Sequence, residues 1–470
     1  MEQSRFIAAL DMGTSKMVAM VARKNESGVL SILHAERVES ETCMRRGCVF
    51  NADVASSKVS RLIRRLNAGE NLNSTIEKIY VGIGGQSMRT ESYSVKKGVE
   101  GGIVTQGQID AIYKEIEEYT PEFAEILEIV SPEFYLDGQP EPNPVGASSS
   151  VIEVRVQLVL GRPLLKKTLT NAIQERARTK IAGFFISPLA TAEAVLSEKE
   201  KELGCALIEF GAGITYLSIY KGGSLKYLIA IPLGGAVITK DICSLDVLEK
   251  EAEDLKINYG SALLELHNED KIKSNNDNIL SRDIEVKNLN TVIEARINEI
   301  LENIIEQINE SGFSASLAAG IIITGGASSL QDLPELIKNR TAKEVRKAVA
   351  KKTLVNQAAD LSQQPANSCI IGLLSLGKEN CLKEKEEADK DIFGQPITVK
   401  EPPRQHKPSR PAPQPQDTEK KQSKGSGGLF GIFTRKIEGI SEKMGGISDT
   451  LFNEEAFKDS ENEEENKKNE

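Results

Sequence analysis

The 470-residue chain carries a formal net charge of -10 and 39% hydrophobic residues. Its length suggests two to four domains with sizeable cores, and the acidic balance excludes a general nucleic-acid binder, which needs clustered Lys and Arg for phosphate contacts. Its six cysteines form no C-x-x-C pair, and His34, His267 and His406 lie far apart, so no zinc or His-based catalytic site is expected and the thiols read as reduced, as in a cytoplasmic protein.

In chain order, "MEQSRFIAALDMG" lacks the basic start and long apolar run of a signal peptide. No stretch reaches the roughly 20 apolar residues that span a bilayer. The spacing predicts short buried strands at "FIAALDMG", "KMVAMVA", "KIYVGIG", "VIEVRVQLVL", "CALIEFGAG", "TYLSIY" and "GIIITGG", with helices between them at "VSRLIRRLN" and "VIEARINEILENIIEQI". This mixture indicates an α/β fold. Glycine-punctuated strand pairs occur twice, near residue 11 and near residue 209, as two similar halves would require.

Three glycine loops follow buried strands. In the first, Asp11 precedes Gly13, Thr14, Ser15 and Lys16. These supply amides, hydroxyls and a cation where a phosphate could sit, and Asp11 could hold Mg²⁺ through water. Taken alone, this stretch reads first as an ordinary hairpin with an Asp-x-Gly turn. The second loop places Glu209 before Gly211 and Gly213. The third runs through Gly325 and Gly326 into Ser328 and Ser329, which read as a helix start before "LQDLPEL". Together they fit one nucleotide clamped between two halves.

From about Lys383 to Gly428 the chain holds seven of its 17 prolines and few apolar residues, the composition of a flexible tether reaching on the order of 40 Å. Beyond it Leu429 and Phe430 lead into Phe433, Ile437, Ile440, Met444, Ile447 and Leu451. From Phe433 the steps alternate four and three residues, one helical face. Basic residues around it, including Arg435, Lys436 and Lys443, favour an anionic lipid surface over a partner's groove or the protein's own core. The chain closes with the acidic "NEEAFKDSENEEENKKNE".

The loop order resembles the actin-like ATPase superfamily, and four stretches resemble the FtsA family of bacterial cell-division proteins within it: "FIAALDMGTSKMVAMVA", "VSPEFYLDGQPEPNPVGASSSVIEVRVQLVLG", "SPLATAEAVLSEKEKELGCALIEFGAG", and "IPLGGAVITKDI" with "EAEDLKINYGSA". The resemblance, over roughly residues 5 to 380, implies a two-lobed actin-like fold. Its parts would be a first lobe (1–83 and 162–190), an inserted small α+β domain (84–161), a second lobe (191–382, its outer subdomain about 242–310), a disordered linker (383–428), a membrane-targeting amphipathic helix (429–452) and an acidic tail (453–470).

It further implies that Asp11, Gly13, Thr14, Ser15 and Lys16 contact the phosphates or Mg²⁺ of ATP. Glu209, Gly211, Gly213 and Gly234 would lie opposite, Glu253 and Lys256 would reach the ribose and adenine side, and Gly325 and Gly326 would lie under the adenosine. Without the resemblance, Glu253 and Lys256 read as a solvated helix face. Expected partners are the C-terminal peptide of FtsZ, further copies of the chain, anionic inner-membrane lipid at the division site and later division proteins, and the role is at most that of a slow ATPase. Glu209, Ile214 and Tyr216 depart from the family's Asp and Gly-x-Gly-Thr-Thr-Asp pattern, which bears on hydrolysis more than on binding. The alternatives are an actin-like protein of type IV pilus assembly and a small-molecule kinase on the same fold.

Overall fold

Residues 5–69, 72, 74–264, 271–273, 283–356 and 359–383 are described by a computed structural model. The tether beyond Lys383, the stripe from Leu429 to Leu451 and the acidic tail lie outside the described residues.

One arrangement is built twice. In the first sheet Arg5–Met12, Lys16–Lys24 and Leu30–Glu39 form an antiparallel meander, with Lys78–Ile83 and then Lys180–Ile186 added parallel beside the first strand. In the second sheet Cys205–Phe210, Thr215–Lys221 and Ser224–Ile231 form the same meander, with Ile321–Thr324 and Val345–Lys347 parallel beside its first strand. The strands nearest the centre, such as "IAAL" and "ALI", are buried on both faces and read as continuous apolar runs.

The segment after Gly84 carries its own sheet, Arg89–Gly98, Val151–Gly161 and Glu125–Leu136. The helix Gln106–Glu118 buries Ile109, Ile112 and Ile116 in that segment's core. Its start is fixed by a capping box in which the Thr105 hydroxyl accepts from Gln108 N and the Gln108 side chain accepts from Thr105 N. This small sheet joins the edge of the second sheet through one pair, Arg89 with Ile229, so the two form nine continuous strands.

The chain then returns to the first sheet. Val355–Asn356 pairs with Leu30 and Ser31, and the helix Ser368–Leu376 packs on Ser187–Val195. Residues 355–356 and 368–382, counted with the second lobe in the sequence, thus pack on the first sheet, while Pro365–Asn367 meets the second lobe at Gly326–Ser329. The two helices meet where Gly372 has no side chain: a Cβ there would stand 1.9 Å from the Ala190 carbonyl oxygen.

Helix Val286–Glu310 buries Leu289, Ile293, Ile297, Ile300, Ile304 and Ile308 against the second sheet, as its three-and-four spacing dictates. The expected helix start at Ser328 is displaced. Gly326–Ser329 is a 3-10 turn in which the Ser328 hydroxyl donates to the Gly325 carbonyl at 2.7 Å, and the α-helix begins at Leu333, with Pro334 in its first turn.

Candidate functional site

The first two loops share one backbone design. Antiparallel pairing ends at Met12 with Met17 in one and at Phe210 with Thr215 in the other, so residues 13–16 and 211–214 turn the chain. Each turn opens on a glycine crowded by the carbonyl three residues on. A Cβ at Gly13 would lie 2.8 Å from the Lys16 oxygen, and one at Gly211 2.5 Å from the Ile214 oxygen. Any side chain at either place would push the turn apart.

These turns meet tip to tip. A Cβ on Gly213 would stand 2.7 Å from Thr14 Cγ2, so only glycine lets the loops approach this closely. Thr14 is held from the first lobe's own side, its hydroxyl accepting from Gly47 N at 3.0 Å. Gly47 has φ +70, and a Cβ on it would lie 2.8 Å from Ile214 Cδ1. Ser40 braces the first loop, donating its hydroxyl to the Gly13 carbonyl at 2.7 Å and its N–H to the Ser15 carbonyl at 2.8 Å. Ser15 itself is exposed.

Behind the contact sit two carboxyls. Burial raises Asp11 from 3.8 to about 6, against the opposing pull of Lys16 and the Cys369 thiol. Burial also raises Glu209, from 4.5 to about 8, and the nearby Asp11 charge adds to the rise. Neither Glu209 Oε2 nor Thr191 Oγ1 has a hydrogen-bond partner among the described residues. Lys16 is lowered by burial, with Asp11 acting the other way. A buried oxygen without a partner is costly and calls for a cation or water.

These groups suit Mg²⁺ held partly through water and phosphate oxygens, the usual mode for a metal that keeps much of its hydration shell. A cage made by the protein alone does not fit, since no cluster of three or more metal-ligating His, Cys, Asp or Glu occurs among the described residues.

The remaining predicted residues gather around the second loop. Gly234 lies against it, a Cβ there falling 2.6 Å from the carbonyl oxygens of both Gly211 and Ala212. Those carbonyls accept from Gly235 N and Ala236 N at 2.9 and 2.8 Å. Glu253 and Lys256 turn inward from the helix Glu249–Tyr259. Lys256 Nζ donates to the Gly235 carbonyl at 3.0 Å, the Thr239 hydroxyl at 2.7 Å and Glu253 Oε2 at 2.6 Å, so neither belongs to a purely solvated face. Gly325, at φ +88, passes within 2.5 Å of the Phe210 carbonyl measured from its absent Cβ, and Gly326 follows at the start of the 3-10 turn.

Sequence reasoning missed several participants. Thr191 and Cys369 come from two apolar helices, "SPLATAEAV" and "SCIIGLLSL"; a lone hydroxyl and a lone thiol in such helices carry no signal until the helices are placed against Asp11 and Glu209. In sequence Tyr216 shows only as a departure from the family pattern. It lies opposite Glu209 in the strand pair, and its hydroxyl accepts from Gly85 N at 2.7 Å, in space left by the missing side chain of Gly84. Ile214 likewise fills apolar core against Gly47.

Two repeated strand, glycine-loop, strand halves that meet at buried carboxyls define an actin-like protein. The solved "PilM-PilN type IV pilus biogenesis complex" shares the fold at a TM-score of 0.55 and 14% identity, over 79% of this chain and 97% of that one. In sequence, the family model "Cell division protein FtsA" matches residues 206–372. The protein of that name from Neisseria meningitidis serogroup B is 30% identical, over 79% of this chain and 90% of the relative. The one from Porphyromonas gingivalis is 29% identical, over 95% and 98%, and that of Escherichia coli K12 is 26% identical, over 83% and 94%. This chain belongs to the FtsA family of cell division proteins.

Proposed function

We propose that the chain binds ATP with Mg²⁺ between its two glycine hairpins, polymerises, and ties FtsZ filaments to the cytoplasmic face of the inner membrane while later division proteins assemble on it. The observation that carries the nucleotide reading is the tip-to-tip approach of Thr14 and Gly213 in front of Asp11 and Glu209. Backbone amides at both turns, the Ser15 hydroxyl and the Lys16 ammonium would hold the phosphates. Asp11 and Glu209 would hold the metal, which screens phosphate charge when bound. Lys256, fixed to the Gly235 carbonyl, and Glu253, paired with Lys256, would flank the ribose, and Gly234, Gly325 and Gly326 leave room for the nucleoside.

Hydrolysis would be slow. A Glu209 carboxyl raised to about 8 is mostly protonated at neutral pH and is a poor proton acceptor until a cation ionises it. Ile214 brings no hydroxyl, and that of Tyr216 is occupied by Gly85 N.

Membrane attachment rests on family membership and on the stripe from Leu429 to Leu451. A stripe interrupted by Gly439, Gly445 and Gly446 loses about 1 kcal/mol per helical glycine, so a single copy would hold lipid weakly and polymerisation would multiply the contact. Co-sedimentation with anionic vesicles tests this, comparing the full chain with one truncated after Gly427, with and without ATP. The full chain alone should pellet, and more so with ATP. If both stay in solution, the stripe serves a protein partner and the tether reading fails.

A further inference from the structure

The first lobe carries a basic face on a chain whose net charge is -10. Helix Ala52–Asn67 buries Ala55, Val59, Leu62, Ile63 and Leu66, which leaves Arg61, Arg64 and Arg65 together on its outer side. It packs against Asn171–Arg176, after which the chain runs "ARTK" to Lys180. From residue 58 to 67 and from 176 to 180 there are seven basic residues and no acidic one; the neighbouring acids include Glu36, Asp53, Glu77 and Glu175.

Among the described residues Arg65 pairs with Glu36, Arg176 with Asp53 and Lys180 with Glu77. Arg64 and Arg178 have no ion pair among the described residues. Both line one open cavity of about 330 Å³, together with Ser60, Asn67 and Thr179. Two free guanidiniums beside hydroxyls are suited to a phosphate, which a planar guanidinium grips through two parallel N–H bonds.

The position of this cavity selects the source of phosphate. Ile76 and Glu77 form its wall, and Ile76 pairs with Leu382 while Lys383 N donates to the Thr75 carbonyl at 2.8 Å. The chain thus leaves the described part of the protein toward its tether beside the two arginines. We propose that this face is a headgroup site for anionic phospholipid, with Arg64 and Arg178 on the phosphate and Arg61 near the surface charge. The inference rests on the membrane reading above and adds to it: the stripe would supply attachment, and the basic face would set which side of the first lobe meets the bilayer. Each Arg near an anionic surface contributes enough that losing two weakens binding about tenfold or more, and such contacts fade with salt.

The test uses the full chain on vesicles of phosphatidylcholine alone and with increasing phosphatidylglycerol. Three variants are compared with it: Arg64→Glu with Arg178→Glu, Arg64→Gln with Arg178→Gln as a milder pair, and Ile437→Asp with Ile440→Asp in the stripe. Melting curves confirm folding. Both arginine pairs should lower affinity for phosphatidylglycerol vesicles, the glutamates about tenfold or more, flatten the salt dependence and leave the weak binding to phosphatidylcholine unchanged. The stripe variant should lose both lipids. Arginine variants that keep the full phosphatidylglycerol dependence overturn the inference alone. Arginine variants that lose self-association with no change on vesicles also overturn it, and point to the acidic tail of a second copy. A wild-type chain that ignores every vesicle overturns the membrane reading as well.

Discussion

The two glycine hairpins share a backbone and differ in nearly every side chain. Pairing register aligns Asp11 with Glu209, Gly13 with Gly211, Lys16 with Ile214 and Val18 with Tyr216. Where the first turn offers a hydroxyl and a cation at Ser15 and Lys16, the second offers Gly213 and Ile214. Where the first strand pair closes with a valine, the second closes with a tyrosine bonded to Gly85. The turn geometry is kept because the glycines at 13 and 211 cannot carry a side chain. Chemistry is unequal: beside one carboxyl in each, the first hairpin carries a hydroxyl and a cation, and the second carries backbone and close approach.

Several substitutions would break or sharpen this asymmetry. Lys16→Ala should have the largest effect, weakening Mg·ATP about a hundredfold, since a charge-assisted contact in a half-buried setting has no replacement; Ile214→Ala at the matching position should change affinity less than threefold. Calorimetric titration of both settles whether the hairpins are chemically unequal. Tyr216→Phe leaves Gly85 N buried without a partner and should cost about 1 to 3 kcal/mol of stability, measured by urea unfolding, whereas Val18→Ala costs only the lost apolar contact. Gly213→Ala forces its Cβ onto Thr14 and should weaken nucleotide binding about tenfold. Combining it with Thr14→Gly should recover part of that loss if the contact is the cause.

Glu209→Gln should change the pH dependence of stability. Asp11 and Glu209 hold protons more tightly in the folded chain, at about 6 and about 8 against 3.8 and 4.5. The folded state therefore binds more protons than the unfolded one between about pH 4 and 8, and nucleotide-free stability falls as pH rises through that window. Gln removes the larger part of this slope. The variant should melt a few degrees above the wild type at pH 8, with no advantage at pH 4.

Much of the fold was legible because its signals are local. "IAALDMG" and "ALIEFGAG" announce a buried strand, an acid and a glycine turn within eight residues, and their repetition announced two halves. The resemblance to a known family singles out Gly234, Glu253 and Lys256, which spacing alone does not. What stayed hidden is set by contacts distant in sequence. Cys369 reaches Asp11 across more than 350 residues, and the return of Ser368–Leu376 to the first sheet depends on Gly372 fitting Ala190. Ile214 reads as a lost hydroxyl and Tyr216 as a departure from the family pattern, whereas one packs against Gly47 and the other bonds to Gly85, residues whose sequence neighbours give no hint of the meeting. The Ser328 helix start failed because its hydroxyl closes a 3-10 turn on Gly325 instead.

One Mg·nucleotide site would join both hairpins and both carboxyls. Calorimetry of Mg·ATP binding to the full chain at pH 7, in buffers of different ionisation enthalpy, tests it most directly. Metal held by Glu209 must displace its proton, so the account predicts net release approaching one proton per nucleotide, abolished in Glu209→Gln. Binding without proton release, or release unchanged in that variant, would place the nucleotide away from Glu209 and contradict the account.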